Sequence, residues 1–290
     1  MHSCYTSWQS VKTAMKTIPR KKISHSTQVS VVKAPQVLAI QQTEKIEQDD
    51  SFLSQRYELK YRISELQAQL LTEYLRPIIP LDKYSVAQPD HQYYISSVYF
   101  DSSQLTLFNE TMDGKCNRYK LRVRAYSDDP ESPIFFEVKR RLGEVICKSR
   151  YKAHRNDLKP FLVDNVIPPI IADHDDTDLR QFLTYYKLLH AKPIALVKYK
   201  REAYESTAKN RVRITFDRCL SCQMTNEPII KINGPGWQDV KANFVVLEIK
   251  FTSNYPSWLS NMVRMFNLNI SSMSKYCSSV RTLPAYSWVN

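Results

Sequence analysis

Arg118-Tyr119-Lys120-Leu121-Arg122-Val123-Arg124-Ala125 is the stretch whose reading decides the fold. Side chains of an extended strand point alternately to its two faces, so residues two apart share a face. One face here carries Arg118, Lys120, Arg122 and Arg124, and the other carries Tyr119, Leu121, Val123 and Ala125. The same segregation recurs downstream: Glu137, Lys139 and Arg141 alternate with Phe136 and Val138, and Lys148, Arg150 and Lys152 with Ser149, Tyr151 and Ala153. Weaker versions occur at Glu58, Lys60 and Arg62, at Arg211 and Arg213, and at Glu248 and Lys250 beside Leu247 and Ile249.

For any single strand, a solvated charged face is the ordinary explanation. Solvated faces, however, mix signs to form favourable cross-strand pairs, whereas four like charges on one strand repel. A sheet that closes with these faces inward places several cations in a low-dielectric space, where a bound anion must offset their repulsion and desolvation. The apolar faces then point outward and need helices to cover them.

The remaining texture supports that layout. Eight segments read as strands: 56–63, 93–100, 118–126, 134–141, 145–153, 195–203, 211–216 and 244–251. Four read as helices: 64–75, opened by Ser64 and Glu65 with Leu66, Leu70 and Leu71 at helical spacing, and 157–163, 179–189 and 257–266. The expected fold class is α+β, an eight-stranded antiparallel β-barrel with flanking helices, spanning residues 51–290 as one domain. Residues 1–50, with Lys12, Lys16, Arg20, Lys21, Lys22 and Lys33 and no acidic residue before Glu44, read as a basic, disordered leader.

The whole chain of 290 residues carries 41 Lys+Arg against 29 Asp+Glu, a formal charge of +12, which favours polyanionic partners. Its four glycines, Gly114, Gly143, Gly234 and Gly236, form neither GxxxxGK[ST] nor GxGxxG, so a backbone phosphate cradle is disfavoured and side chains must hold any phosphate. Six cysteines without a secretory segment fit reduced thiols and a cytoplasmic location, and the lone Cys219–Cys222 CxxC lacks a second pair for zinc. His91, His154, His174 and His190 form no metal or triad spacing; Asp101 reads as a turn starter; Asp173, Asp175, Asp176 and Asp178 read as a helix cap. No apolar run approaches the roughly 20 residues of a membrane span, so membrane attachment would need a membrane-protein partner. Nucleic-acid binding, suggested by charge and 18 tyrosines, is disfavoured because many Tyr alternate with apolar residues inside strands.

Read in order, these fragments resemble the VTC domain of polyphosphate polymerases, within the triphosphate tunnel metalloenzyme (CYTH-like) superfamily. The resemblance runs from about residue 56 to residue 281. Its supports are Arg56-Tyr57-Glu58-Leu59-Lys60-Tyr61, Ser97-Val98-Tyr99-Phe100-Asp101, Arg118 to Arg124, Phe136-Glu137-Val138-Lys139-Arg140, Lys148-Ser149-Arg150, Lys200-Arg201-Glu202-Ala203-Tyr204, Arg211 to Asp217, Leu247-Glu248-Ile249-Lys250 and Ser274-Lys275-Tyr276. The superfamily's opening ExExK is reduced to Glu58-Leu59-Lys60, with Arg56 where the first Glu would stand, a form associated with the polymerase branch.

The resemblance implies a tunnel in which Lys60, Arg122, Arg124, Lys139, Arg201, Arg213 and Lys275 act on the phosphates, with Arg118, Lys148, Arg150 and Lys250 as further substrate contacts. It implies a divalent metal, Mn2+ or Mg2+, on Glu248, with Glu58 and Glu137 as further metal candidates; for Glu137 a structural role orienting Lys139 is preferred. The implied reaction passes the γ-phosphoryl of ATP to a polyphosphate chain. A triphosphatase or polyphosphate hydrolase, and a non-catalytic polyphosphate or nucleotide sensor, remain the alternatives. Eukaryotic members carry additional phosphate-sensing and membrane-spanning domains; a stand-alone arrangement like that of bacterial members is expected here.

Overall fold

The computed structural model describes residues 57–143, 145–164, 177–206, 211–241, 243–252 and 255–289. The basic leader, Arg56, and Asp173, Asp175 and Asp176 lie outside the described residues. The strands are β1 (Tyr57–Ile63), β2 (Tyr93–Asp101), β3 (Arg118–Ala125), β4 (Ile134–Leu142), β5 (Val145–Ala153), β6 (Lys192–Glu205), β7 (Val212–Met224), the two-residue β8 (Gln238–Asp239) and β9 (Val245–Phe251). The helices are α1 (Glu65–Leu75), α2 (Lys83–Val86), α3 (Thr106–Met112), α4 (Leu158–Leu162), α5 (Thr177–Leu188), α6 (Ser257–Met265) and α7 (Lys275–Thr282).

Eight long strands form one antiparallel sheet in the order β1-β9-β7-β6-β2-β3-β4-β5, with β8 appended to β7. The sheet curls until side chains from its two ends meet: Lys139 Nζ on β4 donates to both Glu58 oxygens on β1 at 2.8 Å. No ladder joins the end strands β1 and β5 among the described residues, and the side-chain contact across the closure runs from β1 to β4. The free edge of β1 is met by the segment before α7, where Ser271 N donates to Lys60 O at 2.8 Å and Ile270 bridges Tyr61. An edge covered in this way is no template for pairing with another chain.

The two faces divide as the alternation requires. On the convex side, Leu121, Val123, Phe136, Val138 and Ala153 pack with Leu158, Phe161, Leu179 and Phe182 of α4 and α5. A second convex cluster joins Tyr61, Ile63, Ile214, Phe216, Leu247 and Ile249 to Ala68, Leu71 and Leu75 of α1 and to Leu259 and Met262 of α6. Burial of these apolar faces supplies the main drive for folding.

Several local expectations shift. Ser64 does cap α1, its Oγ accepting from Gln67 N while the Gln67 side chain returns to Ser64 N, a capping box. Leu66 and Leu70 are exposed, however, and the buried positions are Ala68, Leu71, Thr72 and Leu75. Strand β7 runs eight residues past Phe216 because Cys219, at φ +52°, and Leu220 form a bulge opposite β6 that lets pairing resume at Ser221. Cys219 is exposed and Cys222 buried, so the CxxC pair presents no joint site.

Asp101 is more than a turn starter. Fully buried at the end of β2, its carboxylate accepts from the backbone N–H of Ser102, Leu107 and Phe108 at 2.7–2.9 Å and from the Tyr276 hydroxyl at 2.8 Å. It therefore ties β2 to α3 and α7. Replacing Asp101 with Ala strands those buried donors, and at about 1–3 kcal/mol for each buried group left unpaired the expected loss is about 3 kcal/mol or more. Urea unfolding midpoints of the wild type and Asp101→Ala check this; an unchanged midpoint contradicts it.

Candidate phosphate-binding tunnel

The concave face is built from alternate residues of every long strand. Cross-strand neighbours on it include Lys60 with Glu248, Glu58 with Lys250, Arg201 with Asp217, and Lys139 with both Lys120 and Lys148. The charges gather into three clusters, and nine cations share four carboxylates.

Around Glu137, which is 1% exposed, Arg122 Nη2 lies at 2.7 Å and Lys148 Nζ at 2.8 Å, with Arg150 at 3.5 Å and Arg124 at 3.7 Å. Burial opposes its charge, yet Arg122, Arg124 and Lys148 together hold the Glu137 carboxyl well below the usual carboxylate range. Glu137 contacts these four and not Lys139; its predicted role of orienting Lys139 falls instead to Glu58, which meets Lys139 across the closure. Both Glu137 oxygens are engaged by cations, as are both Glu58 oxygens.

The second cluster holds Glu58 and Glu248 with Lys60, Lys139 and Lys250. Lys60 Nζ is 2.8 Å from Glu58, and Lys250 Nζ is 2.6 Å from Glu248 and 4.0 Å from Glu58. Burial and Glu248 each push the Glu58 carboxyl up, but Lys139, Lys60 and Lys250 prevail and hold it down at about 2. Glu248 is lowered too, against its burial, chiefly by Lys250, Lys60 and Lys139.

In the third cluster Arg201 forms a bidentate pair with Asp217 (2.7 and 2.8 Å), and Lys275 Nζ, at the start of α7, lies 2.6 Å from the same carboxylate. Lys275 and Arg201 also sit over the Tyr199 ring, at 4.7 and 5.4 Å from its centroid. A cavity of about 590 Å³ opens at this end, lined by Tyr199, Asp217, Lys275 and Val246 together with Lys198, Arg218 and Lys241.

Two predicted residues sit at opposite ends. Arg213 is held by Asp82 at 2.7 Å and by Glu205, and Arg118 lies beside Arg141, with which it is paired in register. Asp217, Tyr99 and Tyr199 were not singled out for the site. Asp217 stands four residues, two strand periods, after Arg213 and so falls on the charged face, and the Tyr99 hydroxyl accepts from Arg122 Nη1 at 3.0 Å.

The cluster is unfinished on its own. Among the described residues, Ser97 Oγ, Arg124 Nε and Thr215 Oγ1 of this face are buried without a hydrogen-bond partner. Ser97 stands opposite Arg124, and Thr215 opposite Glu248. Among the described residues Lys120 pairs with no carboxylate; its amine donates to Ser274 Oγ at 2.9 Å. Burial first, and then repulsion from Lys60, Lys139 and Arg118, bring Lys120 down to about 7 against the pull of Cys277. Burial first, and then Lys60, lowers Lys139 to about 8 despite Glu58 and Glu248; burial likewise lowers Lys148 to about 8 despite Glu137. Unmatched buried donors and suppressed lysine charges both call for a multivalent anion.

No cluster of three or more His, Cys, Asp or Glu occurs among the described residues. The neighbouring ionised carboxylates of Glu58 and Glu248 nonetheless fit a hard divalent ion of the Mg2+ type, which needs only one or two carboxylates when phosphate oxygens and water complete its shell. Among the described residues no helix is long and apolar enough to cross a membrane.

Comparison with known proteins yields a family and a set of distant structures. The family model of the VTC domain matches residues 55–284. No curated protein sequence matches the chain. Among solved structures, a Bacillus halodurans protein described as an adenylate cyclase candidate shares 13% identity (TM-score 0.43; 75% of this chain, 92% of that one). A Hippeastrum adenylyl cyclase candidate reported to have a dominant triphosphatase activity shares 12% (TM-score 0.45; 79% and 98%). A Pyrococcus horikoshii protein shares 13% (TM-score 0.40; 77% and 96%).

The depressed lysines set a pH dependence for the ligand-free protein. Lys120, Lys139 and Lys148 titrate near 7 to 8 when folded and near 10.5 in ordinary lysine, so between these values the unfolded chain binds more protons. Stability therefore rises with pH through this window. Without polyanion, the midpoint of thermal unfolding is expected to increase from pH 7 to pH 9; a fall over that interval contradicts the assignment.

Proposed function

Because this chain belongs to the VTC domain family, we propose that it is a phosphotransferase that passes the γ-phosphoryl of ATP to the end of a polyphosphate chain in its tunnel. The observation that carries this reading is the cation excess of the concave face, nine Lys and Arg around four carboxylates with buried donors left unpaired. Phosphoryl transfer asks for alignment of donor and acceptor and for neutralisation of charge, with no protein nucleophile.

Arg122 and Arg124 would grip the phosphates, held ready by Glu137; Arg201 and Lys275 would do so from the opposite side, held by Asp217. Donors fixed before substrate arrives need little reorganisation as charge shifts during transfer. Lys60, Lys139 and Lys250 would exchange part of their contact with Glu58 and Glu248 for phosphate oxygens. Those two carboxylates would then hold Mn2+ or Mg2+, which would supply further charge neutralisation on the phosphates.

Hydrolysis, in which water takes the place of the chain end as acceptor, is the second reading. Polymerase and hydrolase share every group named above.

Purified protein incubated with ATP and Mn2+, with products resolved on a gel, separates the readings. A growing polyphosphate ladder is expected; orthophosphate alone would establish the hydrolase, and neither product, with short polyphosphate still raising the melting temperature, a sensor. Arg124→Ala should lower the rate about 100-fold or more, the scale of losing one charge-stabilising donor, while preserving the fold.

A further inference from the structure

Beyond the phosphates, the mouth of the tunnel at the Arg213 end carries a feature that phosphate binding does not use. Tyr84 of α2, Tyr93 of β2 and Tyr126 at the end of β3 form a three-sided niche. The Tyr84 and Tyr126 rings are nearly parallel (10°), with centroids 6.5 Å apart. Tyr93 closes the third side, tilted 56° and 47° to them at 5.9 and 6.4 Å. Two of these rings are open to solvent, Tyr84 being 56% and Tyr126 37% exposed.

The niche is rigidly mounted. Asp82 N donates to Ala203 O at 2.8 Å, Ala203 N to Ser85 Oγ at 2.9 Å, and Glu205 N to Pro80 O at 3.0 Å, which pins the segment carrying Tyr84 onto the end of β6. It is also wired to the phosphate-gripping cations. Tyr126 OH accepts from Arg150 Nη2, and Tyr93 OH from Arg213 Nη2, both at 3.3 Å.

We infer that this tyrosine niche receives the base of the nucleoside triphosphate whose phosphates enter the tunnel. The inference rests on the phosphate-tunnel reading above. Aromatic platforms stack any base, since every base has a π-face, and here the platform adjoins the cations that would take the attached phosphates. Aromatic cages also attract ammonium groups, but here Lys83, 5.1 Å from the Tyr84 centroid, and Arg150, 5.8 Å from that of Tyr126, already stand over the rings. A flat neutral ring tethered to an anion meets both conditions. Stacking on ring faces does not read a base edge, so ATP and GTP should bind alike.

Calorimetric titration with ATP and, separately, with inorganic tripolyphosphate tests the assignment. Tyr84→Ala is expected to weaken ATP about tenfold and leave tripolyphosphate unchanged, with Tyr84→Phe retaining wild-type affinity for both. If Tyr84→Ala leaves ATP affinity intact, or weakens both ligands equally, the niche is not a base site. If the wild type binds tripolyphosphate and not ATP, the inference falls alone and the phosphate tunnel stands; if it binds neither, both fall.

Discussion

The constraint on which the rest of the structure depends is the crowding of like charge on one concave face. Glu137, Glu248 and Asp217 are buried and Glu58 half-buried, and these few carboxylates are shared among the cations. Removing water from such a face is expensive unless every charge finds a partner. The four carboxylates meet part of that cost and fix the side-chain geometry, while the residual positive charge is left for a ligand. A single acid such as Glu137 thus sets the positions of Arg122, Arg124, Lys148 and Arg150 together, so a change at one is expected to be felt at the others.

The remaining architecture follows from keeping this face concave. Apolar alternate positions turn outward, and α1, α6, α4 and α5 cover them, an arrangement that puts the hydrophobic core outside the sheet. Within the curl, Tyr276, Cys277 and Val280 of α7 pack against Ile95, Tyr99 and Val197, and the same helix delivers Lys275 to Asp217. Asp101 anchors that helix through Tyr276, which links a buried structural carboxylate to the placement of a phosphate-facing lysine.

Much of this was legible in the sequence because a two-residue period is a local signal. Arg118 to Ala125 alone assigns a charged and an apolar face, and repetition of the pattern yields the sheet. What was not legible depends on register or on contacts between distant segments. The extension of β7 requires a bulge at Cys219, which no turn residue announces. Pairing of Asp217 with Arg201 follows only once β6 and β7 are aligned. The exchange of Glu58 for Glu137 as the partner of Lys139 depends on how far the sheet curls, and the exposure of Leu66 and Leu70 on the angle at which α1 lies across β9. Tyr84, in a four-residue helix without periodicity, gains meaning only beside Tyr93 and Tyr126.

The central claim is that this face is poised for a polyanion that restores charge to its suppressed lysines. Titrating tripolyphosphate into the protein at pH 8, in two buffers of different ionisation enthalpy, measures the protons exchanged on binding. Net proton uptake is predicted, because Lys120, Lys139 and Lys148 are partly neutral before the anion arrives and charged after it. Binding without proton uptake, or no binding at all, would contradict the account.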